Sequence, residues 1–367
     1  MWRNLQRELS IAVAILAIAA VLAGFAPAFF TFANLRDLLL ANVPVLIVAA
    51  GMTLIVITAE IDISVGSQFA VCSVAAGVFA ISGLPMFAAL IAATLTGALL
   101  GAINGVLVAW VRIPSIVVTL AAMVALRDGL RWVTQGAWVQ NLPPGFHWFG
   151  LPQATSEWIT IGAAAATTVI TAWSLRHLAA GRTVYATGSD ANAARLAGID
   201  SQYVVFSVFA LTGALTGFAA ALNAVRFEQI PSNSGIGLEL KVIAAVVVGG
   251  VSITGGRGTM FGAFLGVILL CLIGPALTFL GFSAYWERAI EGGIILAAVS
   301  MDALSAHWRR DADLAAAHRA KGLARTLVPQ RGVGSGHGAA LRDCRLLRHR
   351  RELLHHRELL RSYPPQR

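Results

Sequence analysis

Six stretches of this chain, Ile11 to Phe30, Val43 to Ala59, Met86 to Val111, Trp158 to Leu175, Tyr203 to Val225 and Thr259 to Phe282, contain no Lys, Arg, Asp or Glu. Each approaches or exceeds the roughly 20 apolar residues that carry a helix across a bilayer. In lipid every backbone polar group must be satisfied within the protein, so such runs fold as helices. A β-barrel would alternate with period two, and these runs do not. Four weaker segments complete the set: Ile63 to Ile81, Ile113 to Leu126, Val242 to Thr254 and Ala289 to Leu304. The sequence predicts an all-α polytopic membrane protein with eight to ten transmembrane helices, the segments at 113 and 242 being short enough to be re-entrant or buried by their neighbours. The first run is too long for a secretory h-region and lacks a small-residue cleavage site, so it reads as the first transmembrane helix.

Charge divides the chain in two. Only 12% of residues are charged, against about a quarter in a soluble domain. Residues 1–306 carry 13 basic and 13 acidic side chains, whereas the tail at 307–367 carries 14 and 5 and so accounts for the whole net charge of +9. The excess gives no ground for a nucleic-acid partner. The tail, with its near-duplicated "RRELLHHRELLR", is expected to be a disordered, dispensable extension whose basic residues suit anionic lipid headgroups. Cys72, Cys271 and Cys344 are isolated and suggest neither a disulfide framework nor a metal site.

With ten crossings, Arg3, Arg7, Arg112, Arg176, Arg182, Arg195, Arg257 and the tail share one side, which the positive-inside rule assigns to the cytoplasm, with both termini. The opposite side receives Arg36, Arg226, Lys241 and a long loop from Trp132 to Glu157. Trp132, Trp138, Trp148 and Trp158 are expected in the interfacial belt, with contact to a docked protein or a sugar as the alternative. His147 reads as polar surface.

The longest internal cytoplasmic loop, "GRTVYATGSDANAARLAGID" at Gly181 to Asp200, has helix punctuation. Ser189 or Asp190 can cap a first turn and Gly198 suits the left-handed position after the last. About two turns between them are too short to stand alone, so they dock either on the membrane surface or on a partner. Two further inner turns stand out, "AEIDISVGS" with Glu60, Asp62, Ser64 and Gly66, and "VSITGGRG" with Gly255, Gly256 and Gly258. The first is either an intramembrane carboxylate site or, as the favoured reading, a helix start in which Asp62 or Ser64 caps the next segment. Ile61 to Ser64 and Gly66 echo Val251 to Thr254 and Gly256, which suggests a parallel internal repeat. Glycines spaced by four, Gly97, Gly101 and Gly105, Gly213 and Gly217, and Gly258, Gly262 and Gly266, predict closely packed helices.

The loop at Gly181 to Asp200, together with "GMTLIVITAEIDISVGS", "GAINGVLVAWVRIPSIVVTLAAM" and "KVIAAVVVGGVSITGGRGTMFGAFLG", resembles the permease subunits of bacterial monosaccharide ABC importers of the ribose, xylose and rhamnose type. The likeness covers about residues 10 to 304, with the four motifs in the right order. It implies a multi-pass inner-membrane subunit, not an enzyme, that pairs with a second permease copy or paralogue, an ABC ATPase and a periplasmic sugar-binding protein. It also implies that the loop around 186–200 is the coupling helix, with Gly188, Asp190, Ala193, Ala194, Arg195, Leu196 and Gly198 at the ATPase contact. Glu60 departs from the family's usual glycine.

The only lysines, Lys241 and Lys321, follow Leu240 and Ala320, so no phosphate-binding G-x-x-x-x-G-K-[ST] exists, and any ATP is expected on a partner subunit. The main alternative is an ion-coupled secondary carrier or channel, for which Glu291 and Asp302 would be relay candidates. A membrane enzyme ranks last, because no metal-spaced cluster or activated nucleophile is visible.

Overall fold

The computed structural model describes residues 2–300 apart from 284, 291, 295, 298 and 299, and side chains from residue 8 onward. The described residues contain eleven α-helices: α1 (Trp2–Phe25), α2 (Phe32–Ile57), α3 (Val65–Ile81), α4 (Met86–Ala109), α5 (Ser115–Thr134), α6 (Gln153–His177), α7 (Ala179–Ser189), α8 (Ala191–Leu196), α9 (Ser201–Ala224), α10 (Leu238–Val248) and α11 (Met260–Phe279). Residues 285–290 and 292–294 are also helical. By length and composition α1, α2, α4, α6, α9 and α11 can cross a membrane, and α3 is a shorter apolar helix. No strand occurs among the described residues; a single antiparallel bridge joins Val139 and Ile230. Glu291, Asp302, Cys344 and the basic tail lie outside the described residues.

Helix α2 is the buried centre, its stretch from Val45 to Ile57 having almost no exposure, and α9 packs against α2, α3 and α4. The α4–α9 contact follows from glycine placement. A Cβ on Gly97 would strike the Gly213 carbonyl, one on Gly101 the Phe209 carbonyl, and one on Gly217 the Ala93 carbonyl. The backbones touch because nothing lies between them, as in small-residue helix pairs in lipid. The opposite face of α4 exposes Phe87, Ile91, Leu95, Leu99 and Ile103. Small residues thus face protein and large ones face outward, an inversion that a bilayer permits because lipid tails are as apolar as leucine. Gly262 and Gly266 of α11 likewise abut Gly249 and Ala245 of α10, whereas Gly258 stands before α11, in the loop.

Helix α2 contains Pro44. Proline has no N–H, so the Leu40 carbonyl one turn earlier loses its helical partner. Arg226, just past α9, supplies the replacement, donating from Nη1 to the Leu40 oxygen at 2.7 Å. Close by, Arg36 pairs at 3.2 Å with Glu157, which is 2% exposed on α6. These charges tie α2, α6 and α9 together at the end of the bundle away from α8.

Two expectations change, for the segment at 113 and for Trp148, and that for the segment at 242 stands. The segment at 113 is a full helix of 20 residues, because α5 continues through Arg127 and Arg131 beyond the apolar run. The segment at 242 is short, at 11 residues, and buried among its neighbours. Trp148 is not in a belt: it is 9% exposed, and its backbone N–H donates to the Val225 carbonyl at 2.8 Å while its own carbonyl accepts from Ser156 Oγ at 2.6 Å. Trp132, Trp138 and Trp158 are exposed.

Candidate functional site

The polar interruption folds as two helices, not one. Leu178 ends α6 in extended conformation, and α7 follows from Ala179. Gly181 lets α7 start directly against the Leu175 carbonyl, where a Cβ would not fit, and Val184 anchors α7 in the core. Asp190 then breaks the helix with φ −162° and caps α8, its Oδ1 accepting from the Asn192 and Ala193 amides at 2.9 and 3.0 Å. At the other end Gly198 is left-handed, φ +83°, and the Ile199 N–H returns to the Ala194 carbonyl at 3.0 Å. Asp200 caps α9 in the same way through Gln202 and Tyr203.

This double capping holds a six-residue helix that could not persist alone. Of the residues singled out from the sequence, Asp190, Ala193, Arg195, Leu196 and Gly198 are exposed. Leu196 is 92% exposed, a bare aliphatic knob. Ala194 is buried beneath α8, and Gly188 points the other way, into the bundle.

Gly188 belongs to a junction of three chain segments. It abuts the Ile57 carbonyl at the end of α2 and the Gly256 amide. Gly256, left-handed at φ +68°, donates its N–H to that same Ile57 carbonyl at 2.8 Å. A Cβ on neighbouring Gly255 would come within 2.6 Å of the Gly188 carbonyl and of the Ala59 methyl. Tyr185, on α7, donates its hydroxyl to the Gly258 carbonyl at 2.8 Å. Thr259 caps α11 through the Gly262 amide at 3.0 Å and donates to the Glu8 carboxylate of α1 at 2.6 Å. The end of α7, just before α8, therefore touches, largely through backbone, the connections between α2 and α3 and between α10 and α11.

The carboxylate turn is deeper than a surface cap. Asp62 is fully buried; its Oδ1 accepts from the Ser64 N–H at 2.8 Å and from the Ser64 hydroxyl at 2.6 Å, and its Oδ2 from Gln68 Nε2 at 3.2 Å. Asn104 of α4 completes the set, donating to Ser64 Oγ at 2.9 Å. The pair organises the entry to α3 as an Asx-type turn; the Ser64 side chain makes no capping bond to α3. Glu60 is half-buried beside Ser115. The sequence echo does not correspond to equivalent positions: Gly66 lies inside α3 against the Glu239 carboxylate and the Gly235 carbonyl, whereas Gly256 lies in a loop against Ser189 and Ile57.

Sequence reasoning missed Tyr185, Ser67, Arg127 and Glu239. Arg127 Nε donates to Ser67 Oγ at 3.2 Å, and its Nη2 stands 3.9 Å from Glu239 Oε2. The available signal was one charge just past an apolar run, Arg127 ahead of Asp128 and Arg131, and one just before another, Glu239 ahead of Lys241. Among the described residues no cluster of His, Cys, Asp or Glu suited to a metal comes together.

The described residues form a helical bundle with six helices able to cross a membrane, short buried helices between them, and one short capped helix presented at its end; comparison with known proteins identifies this class as a transport permease. Residues 34–299 match the family described as "Branched-chain amino acid transport system / permease component", and the chain belongs to that family. It is 35% identical over 308 residues to the autoinducer 2 import system permease protein LsrC of Enterobacter sp. (strain 638), covering 83% of this chain and 90% of that protein. It is 36% identical over 261 residues to the LsrC of Salmonella paratyphi B, covering 70% and 74%, and 35% identical over 301 residues to that of Escherichia coli O157:H7, covering 81% and 86%. No solved structure gives a significant match. These relationships agree with the resemblance carried by the four motifs: the chain is a transmembrane subunit of the monosaccharide class of ABC importers and resides in the inner membrane.

Proposed function

We propose that this permease is driven by a separate ATPase subunit that grips α8, and that it works as one of two permease copies, or with a paralogue, receiving its solute from a periplasmic binding protein. ATP is bound by the partner subunit. The observation that carries this reading is Leu196, 92% exposed on a helix capped at both ends. An aliphatic side chain held so far into solvent, with Arg195 and Ala193 beside it, suits insertion into a cleft on another protein. Glu8 of α1 bonding to Thr259 supports an N-terminus on the same side as α8, the cytoplasmic side.

The solute is a small polyhydroxylated molecule, and the relatives named for autoinducer 2 import make that signal the first candidate. Binding and hydrolysis of ATP would move α8, and the backbone junction at Gly188, Ile57 and Gly256 would pass the displacement to α2, α3, α10 and α11, shifting the bundle between outward-open and inward-open states. The test is co-purification and uptake. Leu196→Glu or Arg195→Glu should strip the ATPase from the purified membrane complex and abolish uptake of autoinducer 2 and of ribose, with the permease still folded in the membrane. Retained ATPase binding and uptake would overturn the coupling assignment.

A further inference from the structure

Arg127 and Glu239 meet inside the bundle, between α5 and α10. Along α5 the distance from Ser115 to Arg127 is about 18 Å, and α10 is about 16 Å long from its inner end near Gly249 to Leu238. Both routes lead to the middle of a hydrocarbon core about 30 Å thick. Two helices also begin there: Gly66, in the first turn of α3, has no side chain, and the Glu239 carboxylate occupies the space that a Cβ would need. Left-handed Gly235 and Gly237 bring the chain into α10.

The pair is poorly satisfied for a structural ion pair. Arg127 Nη2 and Glu239 Oε2 are 3.9 Å apart, and each is a buried atom without a hydrogen bond. Glu239 as a whole is 9% exposed. A buried charge pair contributes to stability only when its geometry is good and its remaining donors and acceptors are filled. The separation is too long for a direct hydrogen bond and shorter than the ~4.5 Å that two hydrogen bonds through one hydroxyl oxygen would span, so a hydroxyl that accepts from the guanidinium and donates to the carboxylate at once enters only when the pair moves apart. Ser67 Oγ lies beside them, bonded to Arg127 Nε and donating to the Met123 carbonyl at 2.9 Å. Intramembrane charges are costly and are retained where they face a path through the bundle.

We propose that Arg127, Glu239 and Ser67 line the translocation path at mid-membrane and take hydroxyl groups of the passing polyhydroxylated solute. The conformation described here is the closed one, with the two charges turned to each other; when α10 shifts against α5, a solute hydroxyl enters between them. The proposal rests on the importer reading but not on the assignment of α8.

The experiment is thiol accessibility in membrane vesicles holding the complete transporter, in a background of Cys72→Ala, Cys271→Ala and Cys344→Ala. Ser67→Cys, which keeps both charges, and Glu239→Cys are treated with a membrane-impermeant cationic thiosulfonate, without nucleotide and with ATP plus vanadate. Leu16→Cys, on the outward face of α1, is the lipid control. Expected are labelling of Ser67→Cys in at least one nucleotide state, none of Leu16→Cys, and at least severalfold slower labelling when autoinducer 2, D-ribose, D-xylose or L-rhamnose is present in excess. Absence of labelling at both sites in both states would place the path elsewhere. Labelling that none of these solutes slows would remove the hydroxyl contact. Failure of the α8 assignment would appear instead as uptake surviving Leu196→Glu, and would leave these labelling patterns unchanged.

Discussion

The Tyr185 hydroxyl donates to the Gly258 carbonyl at 2.8 Å, and it is a side-chain hydrogen bond joining α7 to the loop before α11. Around it the contacts are backbone on backbone. The contacts between the end of α7 and the loop before α11 thus consist largely of one phenol and several glycines. Tyr185→Phe keeps the ring and removes that bond, which costs about 1 kcal/mol of stability. The expected outcome is a small fall in thermal stability in detergent, retained ATPase co-purification and reduced uptake. Uptake unchanged at the same stability would show that the bond has no part in transmission.

Gly188→Ala should be more damaging than its size suggests. The new methyl would run into the Ile57 carbonyl, and overpacking of this kind costs about 1–3 kcal/mol. Gly198→Ala meets nothing within 4 Å but must hold φ +83°, at a cost of about 1 kcal/mol. Melting of the two variants in the same detergent should put Gly188→Ala below Gly198→Ala, and both below wild type.

Asp190→Ala removes two bonds that start α8, worth about 1 kcal/mol locally. The main bundle should melt as before, while hydrogen exchange at residues 191–197 accelerates and ATPase affinity drops. Asp190→Asn, which can still accept from the same amides, should restore most of the affinity.

The α4–α9 seam predicts a sharp contrast between glycines. Gly97→Ala and Gly213→Ala each place a methyl on an opposing carbonyl, whereas Gly129→Ala and Gly162→Ala meet no atom within 4 Å. Yield of folded protein in the membrane should fall for the first pair and remain at wild-type level for the second.

Arg226→Met should expose how far Pro44 depends on its substitute donor. Loss of the guanidinium leaves the Leu40 carbonyl without its partner, a cost of about 1–3 kcal/mol. The double variant Pro44→Ala with Arg226→Met, which restores the helical N–H, should recover part of that loss in a thermal melt.

The long helices were legible because charge-free runs of bilayer length leave the backbone one choice. The small-residue faces of α4 and α9 were legible as well, since glycine spaced by four has few other uses in lipid. Helix α7 was not: Thr183, Val184 and Thr187 are weak helix formers, and the helix exists because Gly181 and Val184 pack against α6 and the core. Asp62 could be picked out as a residue of a helix-starting turn but not as a buried one, because its partners Gln68 and Asn104 are fixed only by how α3 and α4 cross. Likewise nothing local in α5 or α10 announces that Arg127 and Glu239 meet, because their proximity depends on where three helices begin and end. The capped ends of α8 were readable from Asp190 and Gly198; that Gly188 turns inward was not, since a glycine carries no polarity to mark its side.

With carbonyls of α4 pressed against α carbons of α9, that seam has no cushion to compress and no side chains to re-seat. The two helices can only travel together, as one beam. Whatever bends when solute passes must lie at the short members, above all at α10, which left-handed Gly235 and Gly237 precede and left-handed Gly250 follows. A crosslink that pinned α10 to its neighbours would arrest the cycle, while one laid along the beam would go unnoticed.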